Sequence, residues 1–276
     1  MSRPTHVRSI QEYFQLEDQL GEGKFGKVYL ASTLPRARVE LDPDMPDIVA
    51  IKHIANTRQM QEYRNECQNL RVASKLESGI SKYYGCYNTN FDLFIVMEYI
   101  EGEDLYSIYR SLTNREKLSI VYDLAVTLYN LHELGITHRD IKPQNIIISG
   151  GRPIYIDFGF SCNAEYFDYS CSKHMGTLRY ADPSMTLKPL TWEAQVEHDW
   201  WAYATMVHLL FTGVHVFSTP AKTFADLVAG PHKINPAIDK IPLISKITRG
   251  ILEHPLEASS RLKGEEVLQL FMSEDI

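Results

Sequence analysis

From Tyr13 to Tyr99 the apolar residues come in short runs, FQLEDQL, KVYLAST, DIVAIKHI, ISKYYGCY and LFIVMEY, broken by Gly, Pro and Asn. Runs of that length, rich in β-branched and aromatic side chains, predict five antiparallel strands. Between the third and fourth run, TRQMQEYRNECQNLRVASKL spaces Met60, Tyr63, Cys67, Leu70 and Ala73 at intervals of three and four, which predicts one amphipathic helix. After Gly102 the period lengthens. LSIVYDLAVTLYNLHELG repeats helically and stops at a glycine, so the second part of the chain is predicted to be mainly helical. The longest apolar stretch, Trp200 to Phe217, has about the length of a membrane span, but it carries His208 and His215 and reads as a buried core helix. The segment Pro35 to Asp47, with three prolines and several acids, reads as a long exposed hairpin loop.

Composition narrows the picture without changing it. At 276 residues, 44% hydrophobic and 23% charged, the chain can bury a substantial core and matches an ordinary folded protein. A net charge of −7 with no basic block argues against nucleic acid or an anionic membrane as the partner, and no membrane insertion is expected. Cys67, Cys86, Cys162 and Cys171 show neither CxxC spacing nor the interleaved histidines of a zinc site, so free thiols are expected. The opening MSRPTHVRSIQEYF lacks an apolar core of the signal-peptide kind, which favours a cytoplasmic or nuclear address. With no repeat and no low-complexity tail, one domain is expected over 1–276, its β lobe at 13–99 and its helical lobe at 102–270. A monomer is expected, although nothing in the chain fixes the oligomeric state.

Candidate chemistry starts at Leu20-Gly21-Glu22-Gly23-Lys24-Phe25-Gly26-Lys27-Val28, a glycine-spaced turn between two predicted strands. Glycines let a backbone fold over a polyphosphate and aim amides at it. The same spacing occurs in dinucleotide folds, where a helix follows. Here Val28 to Ala31 reads as strand, which favours a flap over ATP. On the next strand Val49-Ala50-Ile51-Lys52 offers a lysine able to hold the α- and β-phosphates, provided an acidic partner fixes it. Glu66 on the amphipathic helix is the candidate partner, with Glu62 one turn earlier as the alternative.

The richest stretch is His138-Arg139-Asp140-Ile141-Lys142-Pro143-Gln144-Asn145, followed by an apolar hairpin and Tyr155-Ile156-Asp157-Phe158-Gly159. Phosphoryl transfer needs Mg2+ bridging the phosphates, for which Asp157 and Asn145 are the candidate oxygen ligands, and a carboxylate at the acceptor hydroxyl, for which Asp140 is the candidate. Lys142 is placed to neutralise charge on the moving phosphoryl group. Any one of these tripeptides alone is ordinary loop solvation; weight comes from finding all of them in order. Lys52, Asp140, Lys142, Asn145 and Asp157 are expected to meet around a single metal-bound nucleotide.

Together these motifs resemble the eukaryotic protein kinase superfamily over roughly residues 13 to 270, and the roles above are that family's own pattern rather than independent of it. The resemblance implies an α+β, bilobal fold: a small five-stranded antiparallel β lobe with one helix, a larger mainly helical lobe, and a hinge at about 98–102. Met97 would be the gatekeeper, Glu98 to Ile100 would offer backbone groups to adenine, Asp104 would meet the ribose, and Val28 and Ala50 would roof the base. ATP and Mg2+, with Mn2+ as an alternative, are the implied cofactors, and a protein is the implied substrate. Gly176-Thr177-Leu178-Arg179-Tyr180-Ala181-Asp182-Pro183-Ser184 is similar to the end of a kinase activation segment. There Thr177 would bond to Asp140 and Lys142, which implies serine or threonine as acceptor. Asp199-Trp200-Trp201-Ala202 resembles the buried helix whose aspartate holds the catalytic-loop backbone, and Arg261 resembles the arginine that ties down the segment.

Departures from the pattern are informative. Ser184 stands where the family has the glutamate that pairs with the arginine, so Arg261 needs another partner, for which Asp182 is the candidate. Ala204 replaces a glycine in the buried helix, and Gln144 replaces an acid that some basophilic kinases use. Arg139 would receive a phosphate on the activation segment, with Ser172 the leading acceptor and Ser170, Tyr169 and Thr177 the alternatives. Competing readings are a nucleotide-binding pseudokinase scaffold, a kinase of small molecules, which lacks the GTxxY element, and a kinase of dual specificity.

Overall fold

The computed structural model describes residues 4–23, 26–55, 59–165, 171, 173–187, 190–217, 222–229 and 232–274. The chain divides into two compact units, Met1–Glu101 and Gly102–Ile276.

The first unit is built on a sheet of β1 (Thr5–His6), β2 (Phe14–Gly23), β3 (Gly26–Thr33), β4 (Ile48–Ile54), β5 (Tyr83–Asn88) and β6 (Leu93–Glu98), in the order β1-β5-β6-β4-β3-β2. The five predicted runs are five of these strands and pair antiparallel. The sixth, β1, runs parallel to β5 and was not predicted, because two residues without apolar alternation leave no periodic trace. Successive side chains in a strand point to opposite faces. Val49 and Ile51 of β4 therefore join Phe14, Ala31, Phe94 and Val96 in a buried cluster. Ala50 and Lys52 take the other face, in register with Met97 and Val28. The amphipathic helix α2 (Met60–Ala73) buries Tyr63, Glu66, Cys67 and Leu70.

Two expectations fail in this unit. The expected hairpin loop holds α1 (Pro35–Glu40). Proline breaks a helix interior but suits its first turn, where the N–H has no partner in any case. Ala37 and Met45 are buried, and Arg38 Nε donates to the Met45 carbonyl at 2.9 Å, so the segment packs instead of standing in solvent. Nor are the cysteines free: Cys67 is bonded to Cys86 and, in the second unit, Cys162 to Cys171. Cys67 and Cys86 are 19 residues apart, on α2 and β5, so spacing along the chain carried no sign of the pair.

The second unit contains the strand β7 (Glu103–Asp104), the helices α3 (Leu105–Ile108) and α4 (Asn114–Glu133), and the strands β8 (Ile136–Thr137), β9 (Ile146–Ser149), β10 (Arg152–Tyr155) and β11 (Cys162–Asn163). It continues through α5 (Trp192–Thr212), α6 (Phe224–Ala229), α7 (Pro242–Leu252) and α8 (Gly264–Met272). A capping box between Thr113 and Glu116 starts α4, which buries Ile120, Val121, Leu124, Leu128 and Leu131 at helical spacing. Each such fully buried side chain contributes about 1.5–3 kcal/mol. Two buried phenols reach the backbone of α4: Tyr155 Oη donates to Leu124 O at 3.2 Å and Tyr203 Oη to Val121 O at 2.8 Å. This fixes the β9–β10 hairpin and α5 against one helix. Among the described residues no helix is long and apolar enough to cross a membrane, and the stretch from Trp200 forms the buried part of α5.

Two histidines of α5 accept a backbone N–H at a ring nitrogen: His198 Nδ1 from Asp182 at 3.3 Å and His208 Nε2 from Asn235 at 2.8 Å. An imidazolium could do neither, and burial lowers both groups from their ordinary value. The folded pKa lies below the unfolded one of about 6.5, so the unfolded chain binds more protons and stability falls as pH drops through about 6.5. Each histidine contributes at most about 1.4 kcal/mol per pH unit in that window. Urea midpoints are therefore expected to fall from pH 7.5 to pH 5.5, and His208→Gln to flatten the slope; equal midpoints would sink the argument.

Candidate active site

In the first unit, β2 and β3 bring the glycine turn together as a hairpin, with Gly21 opposite Val28, Glu22 opposite Lys27 and Gly23 opposite Gly26. A Cβ on Gly26 would overlap the His53 carbonyl oxygen, so a glycine is required there. Glu22 lies 3.8 Å from Lys27 on the exposed surface, while Lys24 and Phe25 fall outside the described residues. On β4, Lys52 is 5% exposed and its Nζ donates to Glu66 Oε1 at 2.6 Å, with Glu66 4% exposed. In a buried pair of this kind each partner offsets the other's desolvation, and deleting one leaves the other uncompensated. Val28, Ala50, Lys52 and Met97 share one face of the sheet. Of the predicted hinge groups, the Glu98 N–H already donates to Lys82 O at 2.9 Å, and Ile100 is buried. A cavity of about 260 Å3 in this unit, lined by Arg8, Ile10, Leu16, His53 and Phe94 among others, contains none of the predicted nucleotide residues.

In the second unit several of the predicted catalytic residues converge on Asp140. Its Oδ1 accepts from Thr177 Oγ1 at 2.7 Å and its Oδ2 from Lys142 Nζ at 2.6 Å, while Lys142 Nζ also reaches Thr177 Oγ1 at 2.9 Å. Asn145 Nδ2 donates to the Asp140 carbonyl at 2.8 Å and to Asp140 Oδ2 at 2.9 Å, which turns its Oδ1 the other way. The Ile156 N–H on the Asn145 carbonyl, at 2.9 Å, brings Asp157 alongside. Asp157 Oδ1 accepts from the Gly159 N–H at 3.2 Å. A Cβ on Gly176 would overlap the Arg139 carbonyl, so only glycine lets the segment approach the loop at 138–145 this closely.

Arg139 and Asp157 sit at φ 67° and 62°, a region that costs non-glycine residues about 1–3 kcal/mol. Asp199 holds this loop in place: Oδ2 accepts from the His138 N–H and Oδ1 from the Arg139 N–H, both at 2.7 Å. Burial alone would raise the Asp199 carboxyl, but the His132 hydrogen bond and the neighbouring histidines hold it below the usual carboxylate value. His132 Nε2 lies 3.0 Å from Asp199 Oδ2, and sequence reasoning missed it. The helical period places His132 on α4, but its partner is 67 residues away.

Some predicted residues are engaged otherwise. Asp104 caps α3, its oxygens accepting from the Ser107 N–H at 3.0 Å and Ser107 Oγ at 2.5 Å. The Arg139 guanidinium donates to Phe160 O at 3.2 Å, to Cys162 Sγ at 2.7 Å and to Lys173 O. Ser172, with Tyr169 and Ser170, falls outside the described residues. Arg261 Nη1 donates to Asp182 Oδ2 at 2.5 Å and Nη2 to Oδ1 at 2.9 Å, a bidentate pair. Its remaining donors reach His254 O at 2.9 Å and Pro255 O at 2.7 Å, and its plane lies 4.5 Å over Trp201. The carboxylate absent at Ser184 is thus supplied two residues upstream, and the Ser184 N–H itself donates to Asp182 Oδ1 at 2.8 Å.

The cell division cycle 7-related protein kinase of Mus musculus is 32% identical over 157 residues, which is 56% of this chain and 27% of that protein. Ribosomal protein S6 kinase alpha-1 of Homo sapiens is 27% identical over 219 residues, 75% of this chain and 29% of that protein. A Caenorhabditis elegans protein named as a serine/threonine-protein kinase is 27% identical over 226 residues, 80% of this chain and 49% of that protein. The chain thus spans from about a quarter to about half of the length of these relatives. A family profile described as protein kinase domain matches residues 14–267. Because that match runs from Phe14 into α8 and takes in residues of both units, the chain belongs to the family of protein kinase domains.

Proposed function

We propose that this chain transfers the γ-phosphoryl group of ATP to serine or threonine hydroxyls of a protein substrate. The observation that carries this reading is the arrangement at Asp140, whose two oxygens accept from Thr177 Oγ1 and Lys142 Nζ at 2.7 and 2.6 Å. A substrate hydroxyl within hydrogen-bond reach of that carboxylate gives up its proton to Asp140 as its oxygen bonds to phosphorus and the bond to ADP breaks. Lys142 balances the negative charge that Asp140 and the transferring group bring together. Thr177, a residue of the segment beside the substrate, ties peptide position to base position.

The residues present fit a magnesium nucleotide. An amide oxygen beside a carboxylate is a hard oxygen donor set, which suits an ion that takes few protein ligands and keeps phosphate oxygens and water. Asn145 Oδ1, turned away from Asp140 by the two bonds of Nδ2, and the Asp157 carboxylate would hold it. Bound there, Mg2+ would neutralise phosphate charge. Lys52, fixed by Glu66, supplies a cation for the phosphates. At Gly21 and Gly23 a Cβ would meet nothing within 4 Å, so packing does not account for these glycines, and the backbone there is open to a phosphate.

Purified protein incubated with radiolabelled ATP and Mg2+ is expected to label casein or histone on serine and threonine. A thermal shift with Mg-ATP but no label marks a nucleotide-binding scaffold instead. Label on small alcohols alone marks a small-molecule kinase, and phosphotyrosine marks dual specificity.

A further inference from the structure

The helix that carries Glu66, α2, is seated on β5 by one stripe of side chains. Tyr63, Cys67, Leu70 and Ser74 recur at spacings of four, three and four, which puts them on a single face. Tyr63 Oη donates to the Tyr87 carbonyl at 2.8 Å, Ser74 Oγ accepts from the Tyr83 N–H at 2.8 Å, and between them Cys67 is bonded to Cys86. All three partners lie on β5. Glu66 stands one residue before Cys67, turned from it by about 100° around the helix axis, and its Oε1 accepts from Lys52 Nζ on β4 at 2.6 Å. The covalent tie is thus the chain neighbour of the carboxylate that holds the nucleotide lysine.

The first turn of α2 has no side-chain cap, since Gln59 at its N-cap makes no such bond, and Glu66 lies only about two turns further on. An uncapped end leaves that turn to be held by its contacts with the sheet. Two thiols need more room than a bonded pair of sulfurs, because unbonded sulfurs stand at van der Waals distance. Cys67 and Cys86 are both buried, so close packing leaves neither thiol space to turn aside, and reduction moves the helix away from β5. A displacement of about 1 Å carries the 2.6 Å contact between Lys52 and Glu66 out of hydrogen-bond range. This is also the more accessible of the two disulfides: Cys67 and Cys86 keep 8% and 6% of their surface, against 1% and 3% for Cys162 and Cys171.

We propose that Cys67 and Cys86 form a reversible thiol–disulfide modification site, and that its state sets Glu66 against Lys52 and with it the affinity for the phosphates of the nucleotide. A dithiol reductant supplies the chemistry. Its thiolate attacks one sulfur of the pair, forming a mixed disulfide and expelling the other sulfur as thiolate; its second thiol, deprotonated, then displaces the bound cysteine. The reductant ends as a disulfide, the pair takes up two electrons, and each cysteine gains a proton. A disulfide oxidant runs the exchange in reverse. The oxidised state is the one in which the ion pair is closed. The inference rests on the nucleotide reading of Lys52 above.

Wild type is equilibrated with dithiothreitol or with oxidised glutathione, and alkylation followed by peptide mass spectrometry reports which cysteines are free. Binding of N-methylanthraniloyl ATP with Mg2+ is followed by fluorescence anisotropy, and kcat/KM for ATP with casein as acceptor. Reduction of the Cys67–Cys86 pair is expected to weaken binding and to lower kcat/KM by on the order of tenfold, and oxidised glutathione to restore both. The double variant Cys67→Ala, Cys86→Ala is expected to match the reduced wild type and to ignore dithiothreitol, which separates this pair from Cys162 and Cys171. Glu66→Gln with its disulfide intact is expected to show the same loss, and reduction to cost it no further factor. A brace that serves stability alone would add its own loss to that of Glu66→Gln. Equal affinity in the two states overturns the proposal, as does a pair that stays bonded in dithiothreitol under native conditions. A reduction loss that persists in the double variant or in Glu66→Gln overturns it too; the Glu66→Gln arm decides if the double variant does not fold. If casein is labelled in neither state the kinase reading fails, whereas nucleotide binding still decides the switch.

Discussion

Asp157→Asn is expected to lower phosphoryl transfer by on the order of 10^3-fold while leaving the folded state as stable as the wild type. Asp157 holds φ 62°, a conformation that costs most side chains dearly but that asparagine tolerates as well as aspartate. The asparagine Oδ1 can still accept the Gly159 N–H that Asp157 Oδ1 accepts at 3.2 Å. The substitution therefore deletes a negative charge with little change in shape, and the charge is what a magnesium nucleotide requires. Transfer assays paired with urea denaturation separate the two effects. Activity within tenfold of wild type would remove Asp157 from the metal site, and unfolding of the variant would show that the charge serves the fold.

The largest effect on stability is expected at Arg261. Arg261→Met leaves Asp182, which is 1% exposed, as a buried carboxylate without its bidentate partner and should cost about 3–5 kcal/mol. Asp182→Asn retains an acceptor for the Ser184 N–H but strands the guanidinium, and should cost a comparable amount. The double variant strands neither charge. Its cost is expected to fall short of the sum by about 2–3 kcal/mol, although His254 O and Pro255 O still lose their donor. Urea unfolding of the four proteins in one buffer measures this coupling, and losses that add within about 0.5 kcal/mol would show that the pair does not act as a unit.

Five strands, the helix with Glu66 and the helical second part were legible because each leaves a period of two or about three and a half in its own stretch of chain. Candidate chemistry was legible for a related reason. The residues from His138 to Asn145 and from Tyr155 to Gly159 flank the two ends of one short hairpin, so their order already constrains their geometry. Proline at Pro35 misled, because the same restriction on φ that breaks a helix interior serves its first turn.

By itself the sequence determined the kinase motifs in their order, the β-then-helical division of the chain, and the loss of the glutamate at Ser184. Tertiary structure alone decided who partners whom at a distance. It bonded Cys67 to Cys86, set His132 on Asp199 across 67 residues, and gave Asp182 to Arg261 across 79. The reason is physical. Backbone periodicity and turn chemistry act between near neighbours in the chain, whereas a buried charge is matched only when packing closes a long loop and brings one particular acceptor within about 3 Å.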